Sequence, residues 1–233
     1  MSGQSTLAPA NWRAVLSTQD RRLLADEGFL HVRGAADASA LQAMRAAWER
    51  LLEEPEPDFA KRGNNDGPRR LGNEPAFRHC LEHVYVMSAV AQVLDGDVVL
   101  GMFRGRDPRR GSGQQGFHVD DARPVPPDRQ IMANAFWLLD DMDEANGATR
   151  VIPGSHRLAR LPDKGFARRD AQHPEARPIR ACAGDVIVFS AHLWHAGSEN
   201  LSGARRRIAM AHFARREVAE SHARAIGSLP AYE

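Results

Sequence analysis

Residues 178–197 read PIRACAGDVIVFSAHLWHAG, and this stretch indicates the fold class. It holds three short runs rich in β-forming residues, at 178–181, 185–190 and 193–197, with a Gly184-Asp185 turn before the second. Five more runs of this kind lie at 98–103, 115–120, 131–139, 148–152 and 207–213. Gly, Pro, Asp and Asn separate the runs, which is typical of a β-sandwich or a jelly roll.

The N-terminal part has a different pattern, in which apolar residues recur at helical spacing. A short helix is predicted before a strand at 29–32, and a second helix is predicted to start at Asp37 and to stop before Pro55. Residues 77–94 are also predicted to be helical. Residues 55–75 are rich in Pro, Gly, Asn and charge, and are predicted to form a long surface loop.

These patterns predict an α+β protein with a double-stranded β-helix core, a jelly roll of the cupin-like kind, and N-terminal helices packed on one sheet. We expect a single domain over residues 1–233. It would comprise a helical part at about 12–95, a jelly-roll core at about 96–214 and a C-terminal tail at 215–233. A doubly wound parallel sheet is disfavoured, because the segments between the predicted strands are too short for crossover helices.

Composition excludes several classes of function. The 233 residues are 42% hydrophobic and 26% charged, which is typical of a folded domain. The formal net charge of +1 gives no electrostatic reason to expect nucleic acid or a membrane surface as a partner. Residues 1–11 lack the pattern of a signal peptide, so a cytoplasmic location is expected. The sequence does not indicate an oligomeric state.

A histidine and a carboxylate stand two residues apart in the run at 115–120. Alternating side chains of a strand point to opposite faces, so His118 and Asp120 are expected to share one face. An imidazole nitrogen and a carboxylate oxygen on one face suit a divalent first-row metal. By itself the pattern is weak, because a histidine beside an aspartate is more often a surface ion pair.

His195, after the strand at 185–190, is the candidate third ligand, and His192 is a competing candidate. Two histidines and one carboxylate leave three positions open on the metal, as non-haem iron(II) oxygenases require for a bidentate co-substrate and dioxygen. A dicarboxylate co-substrate would also need a fork-shaped cation. Such cations follow at positions 205–207, where three arginines stand in a row.

These residues resemble the phytanoyl-CoA dioxygenase-like family of Fe(II)- and 2-oxoglutarate-dependent dioxygenases. The resemblance covers EGFLHVRG at 27–34, His118-x-Asp120, NGATRVIPGSH at 146–156, the Gly184-Asp185 strand, Trp194-His195 and NLSGARR at 200–206. It extends over nearly the whole chain.

The resemblance implies that His118, Asp120 and His195 bind the metal, and that Arg206, eleven residues after His195, binds the distal carboxylate of 2-oxoglutarate. The cofactors implied are Fe(II), 2-oxoglutarate as co-substrate and O2. Because side chains alternate along a strand, one of the three arginines is expected to bind this carboxylate, with Arg205 and Arg207 on the face opposite Arg206.

Gln115 and Thr149 match positions that contact the co-substrate in relatives. Asp120 is retained where halogenating relatives have alanine or glycine, so hydroxylation of a small molecule, or a related oxidation, is favoured. Residues that would bind this substrate are not identified. Two alternatives remain: a zinc hydrolase or cupin-like isomerase that uses the same triad, and a binding module without catalytic activity.

Other polar residues are interpreted as structural or solvated. Arg104, Arg106, Arg109 and Arg110, with Arg62, Arg69 and Arg70 upstream, could line an entrance and attract an anionic substrate, but a solvated surface is favoured. His156 is predicted to be structural. Six further histidines are predicted to be satisfied or exposed: His31, His79, His83, His173, His212 and His222.

Overall fold

The computed structural model describes residues 15–219 apart from 54–66, 96–97, 124 and 127. Its helices are α1 (Thr18–Asp26), α2 (Ala38–Glu53), α3 (Arg78–Glu82) and α4 (Val84–Leu94). Its strands are β1 (Phe29–Val32), β2 (Val98–Arg106), β3 (Met132–Leu138), β4 (Thr149–Val151), β5 (Arg177–Pro178), β6 (Val186–Ser190), β7 (His195–Gly197) and β8 (Ile208–Arg215). Most of the predicted elements are therefore confirmed.

The strands form two antiparallel sheets. The larger sheet has the order β1-β6-β3-β8-β2, and the smaller has the order β5-β4-β7. β1 lies within the N-terminal part and pairs with β6 at one edge of the larger sheet, while β2 forms the other edge. Two facing sheets with non-sequential strand order are the arrangement expected of a jelly roll.

The two faces of the larger sheet bury different cores. Ala133, Ala135 and Trp137 of β3 pack with the helices, in a cluster that includes Trp48 of α2. Phe136 of the same strand packs between the two sheets. This alternation follows from the period of two in a strand, and it confirms that the N-terminal helices pack on one sheet.

The junction between α1 and β1 requires glycine. Ser17 begins α1, and its hydroxyl accepts a hydrogen bond from the amide of Asp20. Gly28 ends the turn at φ +83°, and a Cβ there would lie 2.4 Å from Nδ1 of His156. Nε2 of His156 lies 3.2 Å from the carbonyl of Ala25, so this histidine ties α1 to the segment after β4.

The prediction of a strand at 115–120 is wrong: in the described structure, this segment makes only an isolated bridge between His118 and His195. Its amides bond to different neighbours: Phe117 donates to Phe166, whereas Asp120 donates to Ala191. A continuous ladder with one partner is therefore not formed.

Two other predictions lie partly outside the described residues. In the segment 55–75, residues 55–66 are not described, and Leu71 at its C-terminal end is buried rather than on the surface. In the tail at 215–233, residues 220–233 are not described. No helix in the described ranges is both long and apolar enough to cross a membrane.

Candidate metal centre

His118, Asp120 and His195 converge at one point between the two sheets. One ligand atom from each lies within 4.8 Å of the others. Nε2 of His118 lies 3.6 Å from Oδ1 of Asp120, and Nε2 of His195 lies 3.6 Å from Oδ2. His195 is at the start of β7, and the bridge between His118 and His195 holds the two backbones together. The predicted triad is thus assembled, although by a bridge rather than a strand.

Backbone carbonyls fix the orientation of both imidazole rings. Nδ1 of His118 lies 3.0 Å from the oxygen of Gly116, and Nδ1 of His195 lies 2.9 Å from that of Leu193. A carbonyl only accepts hydrogen bonds, so Nδ1 carries the hydrogen in each ring. In the neutral ring, Nε2 is then left with a lone pair directed toward Asp120, as a metal ligand requires. Burial lowers the pKa of His195, which favours this neutral form.

Asp120 is held as a carboxylate. Nδ2 of the fully buried Asn134 donates a 2.6 Å hydrogen bond to Oδ2 of Asp120. Burial acts to raise the pKa of Asp120, but the nearby His195, the hydrogen bond with His118 and the nearby His212 outweigh it, so the pKa lies below its ordinary value. The group is therefore ready to bind a cation.

Arg206 is buried and lines the same cleft as the triad. It is 1% exposed, and among the described residues its Nε and Nη2 have no hydrogen-bond partner. Burial, together with the nearby Arg106, lowers its pKa to about 9. Its Nη1 lies 3.9 Å from Sδ of Met142, a weak acceptor. A buried guanidinium without an acidic partner is costly, so this position favours an anionic ligand.

Arg205 and Arg207 point away from the cleft, as strand alternation predicts. Arg205 forms ion pairs with Asp107 and Glu49, and Arg207 forms ion pairs with Asp140 and Glu49. Both residues thus tie the start of β8 to its surroundings and leave Arg206 directed inward.

The cleft has a volume of about 130 Å³, and its lining includes the three ligand candidates, Arg206, Gln115 and Thr149. Oε1 of Gln115 accepts a 3.3 Å hydrogen bond from the amide of Gly197. The structure therefore brings together all six residues that the sequence singled out. His192 is not part of the cluster of ligand atoms in the described structure.

Four further residues at the site were missed or misinterpreted from the sequence. Arg104, Arg106 and His212 line the cleft, so the interpretation of these two arginines as solvated surface is wrong. The prediction that His212 is satisfied or exposed is also wrong, because it is buried and its Nε2 has no hydrogen-bond partner among the described residues. Burial lowers the pKa of His212 to about 4. Asn134 could have been noticed, because it is polar in the otherwise apolar run at 131–139.

Comparison with known proteins identifies the family. The family model described as phytanoyl-CoA dioxygenase (PhyH) matches residues 24–208. The chain belongs to this family of Fe(II)- and 2-oxoglutarate-dependent dioxygenases. Among its relatives is the uncharacterized protein Rv1501 of Mycobacterium tuberculosis, which is 31% identical over 79% of this chain and 70% of that protein.

Solved structures share the fold of this family member. HygX from Streptomyces hygroscopicus, bound to nickel, 2-oxoglutarate and hygromycin B, has a TM-score of 0.72 at 16% identity and covers 86% of this chain and 88% of its own. SnoN, a non-haem alpha-ketoglutarate-dependent epimerase from nogalamycin biosynthesis, has a TM-score of 0.67 at 20% identity and covers 84% of this chain and 82% of its own. At these identities the likeness shows the cupin-like fold alone.

Proposed function

We propose that this protein is an Fe(II)- and 2-oxoglutarate-dependent dioxygenase that hydroxylates a C–H bond of a small molecule in secondary metabolism. The observation that carries the proposal is the presence, in one cleft, of the His118–Asp120–His195 cluster and the buried Arg206, whose Nε and Nη2 have no hydrogen-bond partner among the described residues. The domain proposed for this activity is the single unit over residues 1–233.

The residues fit the proposed metal and co-substrate. Two imidazole nitrogens and one carboxylate oxygen form the donor set of an iron(II) site with open positions. Bound iron and 2-oxoglutarate would supply the activation of dioxygen, with release of succinate and CO2 and oxidation of the substrate. A zinc hydrolase or a cupin-like isomerase could use the same triad, but it would not need Arg206 as a dicarboxylate partner.

The protein itself would contribute binding, orientation and exclusion of water. Arg206 would pair with the distal carboxylate of 2-oxoglutarate, where burial strengthens a charge-assisted hydrogen bond. Gln115 and Thr149 would contact the co-substrate from the walls of the cleft. Phe136 and Ile208 add apolar surface to the same lining and would limit the access of water.

The neighbours support an assignment to secondary metabolism, because HygX is bound to hygromycin B and SnoN comes from nogalamycin biosynthesis. SnoN is an epimerase, so the fold also serves reactions other than hydroxylation. Hydroxylation, or a related oxidation, is proposed here over halogenation because Asp120 stands where halogenating relatives have alanine or glycine.

The test is the formation of succinate from 2-oxoglutarate by the purified protein with iron(II) and oxygen. Wild type is expected to form succinate slowly even without its substrate, and Asp120→Ala is expected to abolish this activity. Asp170→Ala is the matched control, because Asp170 is exposed and pairs only with Arg168 among the described residues. Succinate formation by Asp120→Ala at the wild-type rate would rule out the proposed site.

A further inference from the structure

Beside the candidate metal centre, the cleft contains a second polar cluster that the proposed function does not use. It consists of Arg104 on β2 and His212 on β8, both of which line the cleft. Neither residue belongs to the triad or to the expected co-substrate site.

The register of the sheet directs both side chains into the cleft. Arg104 lies opposite Met210, and His212 lies opposite Met102 on one side and Asn134 on the other. Directly opposite residues share a face of the sheet, and Met210 also lines the cleft. Asn134 donates to Asp120, so His212, directly opposite Asn134, lies beside this ligand. Arg104 pairs with Met210, two residues before His212, and lies on the edge strand.

Both side chains carry polar atoms without a partner. His212 is 6% exposed, and its Nε2 has no hydrogen-bond partner among the described residues. The same holds for the buried Nε of Arg104. In the described part of the chain, no carboxylate forms an ion pair with Arg104. Buried polar atoms of this kind are costly unless a ligand satisfies them.

The charges of the cleft favour an anion at this cluster. Asp120 is the one carboxylate among the described residues that line the cleft. Iron(II) and 2-oxoglutarate carry equal and opposite charges, so Asp120 is left to offset only one of the three arginines that line the cleft, Arg104, Arg106 and Arg206. The guanidinium of Arg104 would still lack an acidic group after both are bound.

We propose that Arg104 and His212 bind an anionic group of the substrate, a carboxylate or a phosphate, beside the metal. Arg104 would form a charge-assisted hydrogen-bonded pair with this group, and His212 would donate a hydrogen bond from Nε2. This inference rests on the proposed function and specifies its substrate class as acidic small molecules.

The test is calorimetric titration of the anaerobic protein, loaded with iron(II) and saturating 2-oxoglutarate, with three probes of similar shape: benzoate, phenyl phosphate and neutral benzamide. Wild type is expected to bind at least one of the two anions and not benzamide, and the preferred anion distinguishes a carboxylate from a phosphate substrate. Arg104→Gln is expected to weaken anion binding about tenfold or more, as loss of a hydrogen bond to a charged group predicts.

Two further variants complete the comparison. His212→Phe keeps an aromatic ring without the hydrogen bond and is expected to weaken anion binding as well. Arg109→Gln makes the same change as Arg104→Gln at an exposed arginine beyond the end of β2 and is expected to bind like wild type. The visible absorption band of the iron–2-oxoglutarate chelate, unchanged in every variant, would show that each is folded and loaded.

Three results would overturn the inference: no binding of either anion to wild type, equal binding of benzamide, or full anion binding by Arg104→Gln. Loss of the chelate band on addition of an anion would also count against it, because the anion would then be displacing the co-substrate. Failure of the band to form at all would contradict the proposed function instead. In that case the titrations would still show whether Arg104→Gln binds the anions more weakly than wild type.

Discussion

At the scale of single residues, the candidate metal centre depends on hydrogen bonds that orient each ligand. The carbonyls of Gly116 and Leu193 fix the two imidazole rings, and Asn134 fixes the carboxylate of Asp120. Partners of this kind set the direction of the lone pairs and the basicity of the ligands. The affinity for metal should therefore depend on a residue that does not itself touch the metal.

Replacement of Asn134 by leucine tests this dependence. The change keeps the number and branching of the side-chain heavy atoms but leaves Oδ2 of Asp120 without its amide donor, so metal affinity is expected to fall by roughly 10- to 100-fold. Calorimetric titration with iron(II) under anaerobic conditions would measure the loss. Unchanged affinity in a folded Asn134→Leu variant would show that Asn134 has no role in the site.

His156 makes stability depend on pH. Burial lowers its pKa to about 4 from an ordinary value of 6.5, so the unfolded chain binds more protons than the folded one between these values. Its contribution is complete above pH 6.5 and declines as the pH falls toward 4, by at most about 1.4 kcal/mol per pH unit.

Unfolding by denaturant at several pH values would measure this effect. The free energy of unfolding of wild type is expected to fall more steeply between pH 6.5 and 4 than that of His156→Gln, which cannot take up the proton. Parallel slopes for the two proteins would contradict the assignment.

At the scale of elements, the structure is held together where segments distant in sequence meet. Glu49 of α2 pairs with Arg205 and Arg207 on either side of Arg206, and so ties a helix to the beginning of β8. Another such junction lies between α1 and β1, where Gly28 packs against His156.

The cost of a steric clash at Gly28 can be separated from the cost of backbone strain by comparison with Gly34, a second glycine at positive φ. Gly28→Ala adds a Cβ at positive φ and 2.4 Å from the ring of His156, whereas Gly34→Ala adds one at φ +60° with nothing within 4 Å. Both should lose about 1–2 kcal/mol of stability for the left-handed conformation. Gly28→Ala should lose a further 1–3 kcal/mol, roughly, for overpacking. Equal losses in denaturant unfolding would contradict the close packing of Gly28 against His156.

A β-bulge decides which side chains of β2 enter the cleft. The pairing of β2 with β8 shifts register between Leu100 and Met102. Before the shift, Leu100 lies opposite Phe213 on the helical side; after it, Arg104 lies opposite Met210 on the cleft side. A regular strand would place Leu100 and Arg104 on the same face.

At the scale of the whole molecule, the periodicity of the sequence predicted those features of the fold and the site that follow from regular helices and strands. Alternation directed Arg206 inward, with Arg205 and Arg207 on the opposite face. It could not place Arg104 or His212 in the cleft, because the bulge and the pairing of distant strands leave no clear local signal. The segment at 115–120 was misjudged because its backbone partners come from separate parts of the chain.

The proposed co-substrate site is likewise a property of the whole fold, since Arg206 and the triad come from different segments that close around one cleft. Its most direct test is the visible charge-transfer band formed when iron(II) and 2-oxoglutarate are added to the protein without oxygen. Titration of 2-oxoglutarate against this band measures its affinity.

We predict that the band forms with wild type. Arg206→Ala should weaken 2-oxoglutarate binding by roughly 2–5 kcal/mol, the loss of one half of a buried charge pair. Arg205→Ala, the same change at an adjacent exposed arginine, should bind like wild type. Absence of the band with iron demonstrably bound, or equal affinity in Arg206→Ala and wild type, would contradict the proposed co-substrate site.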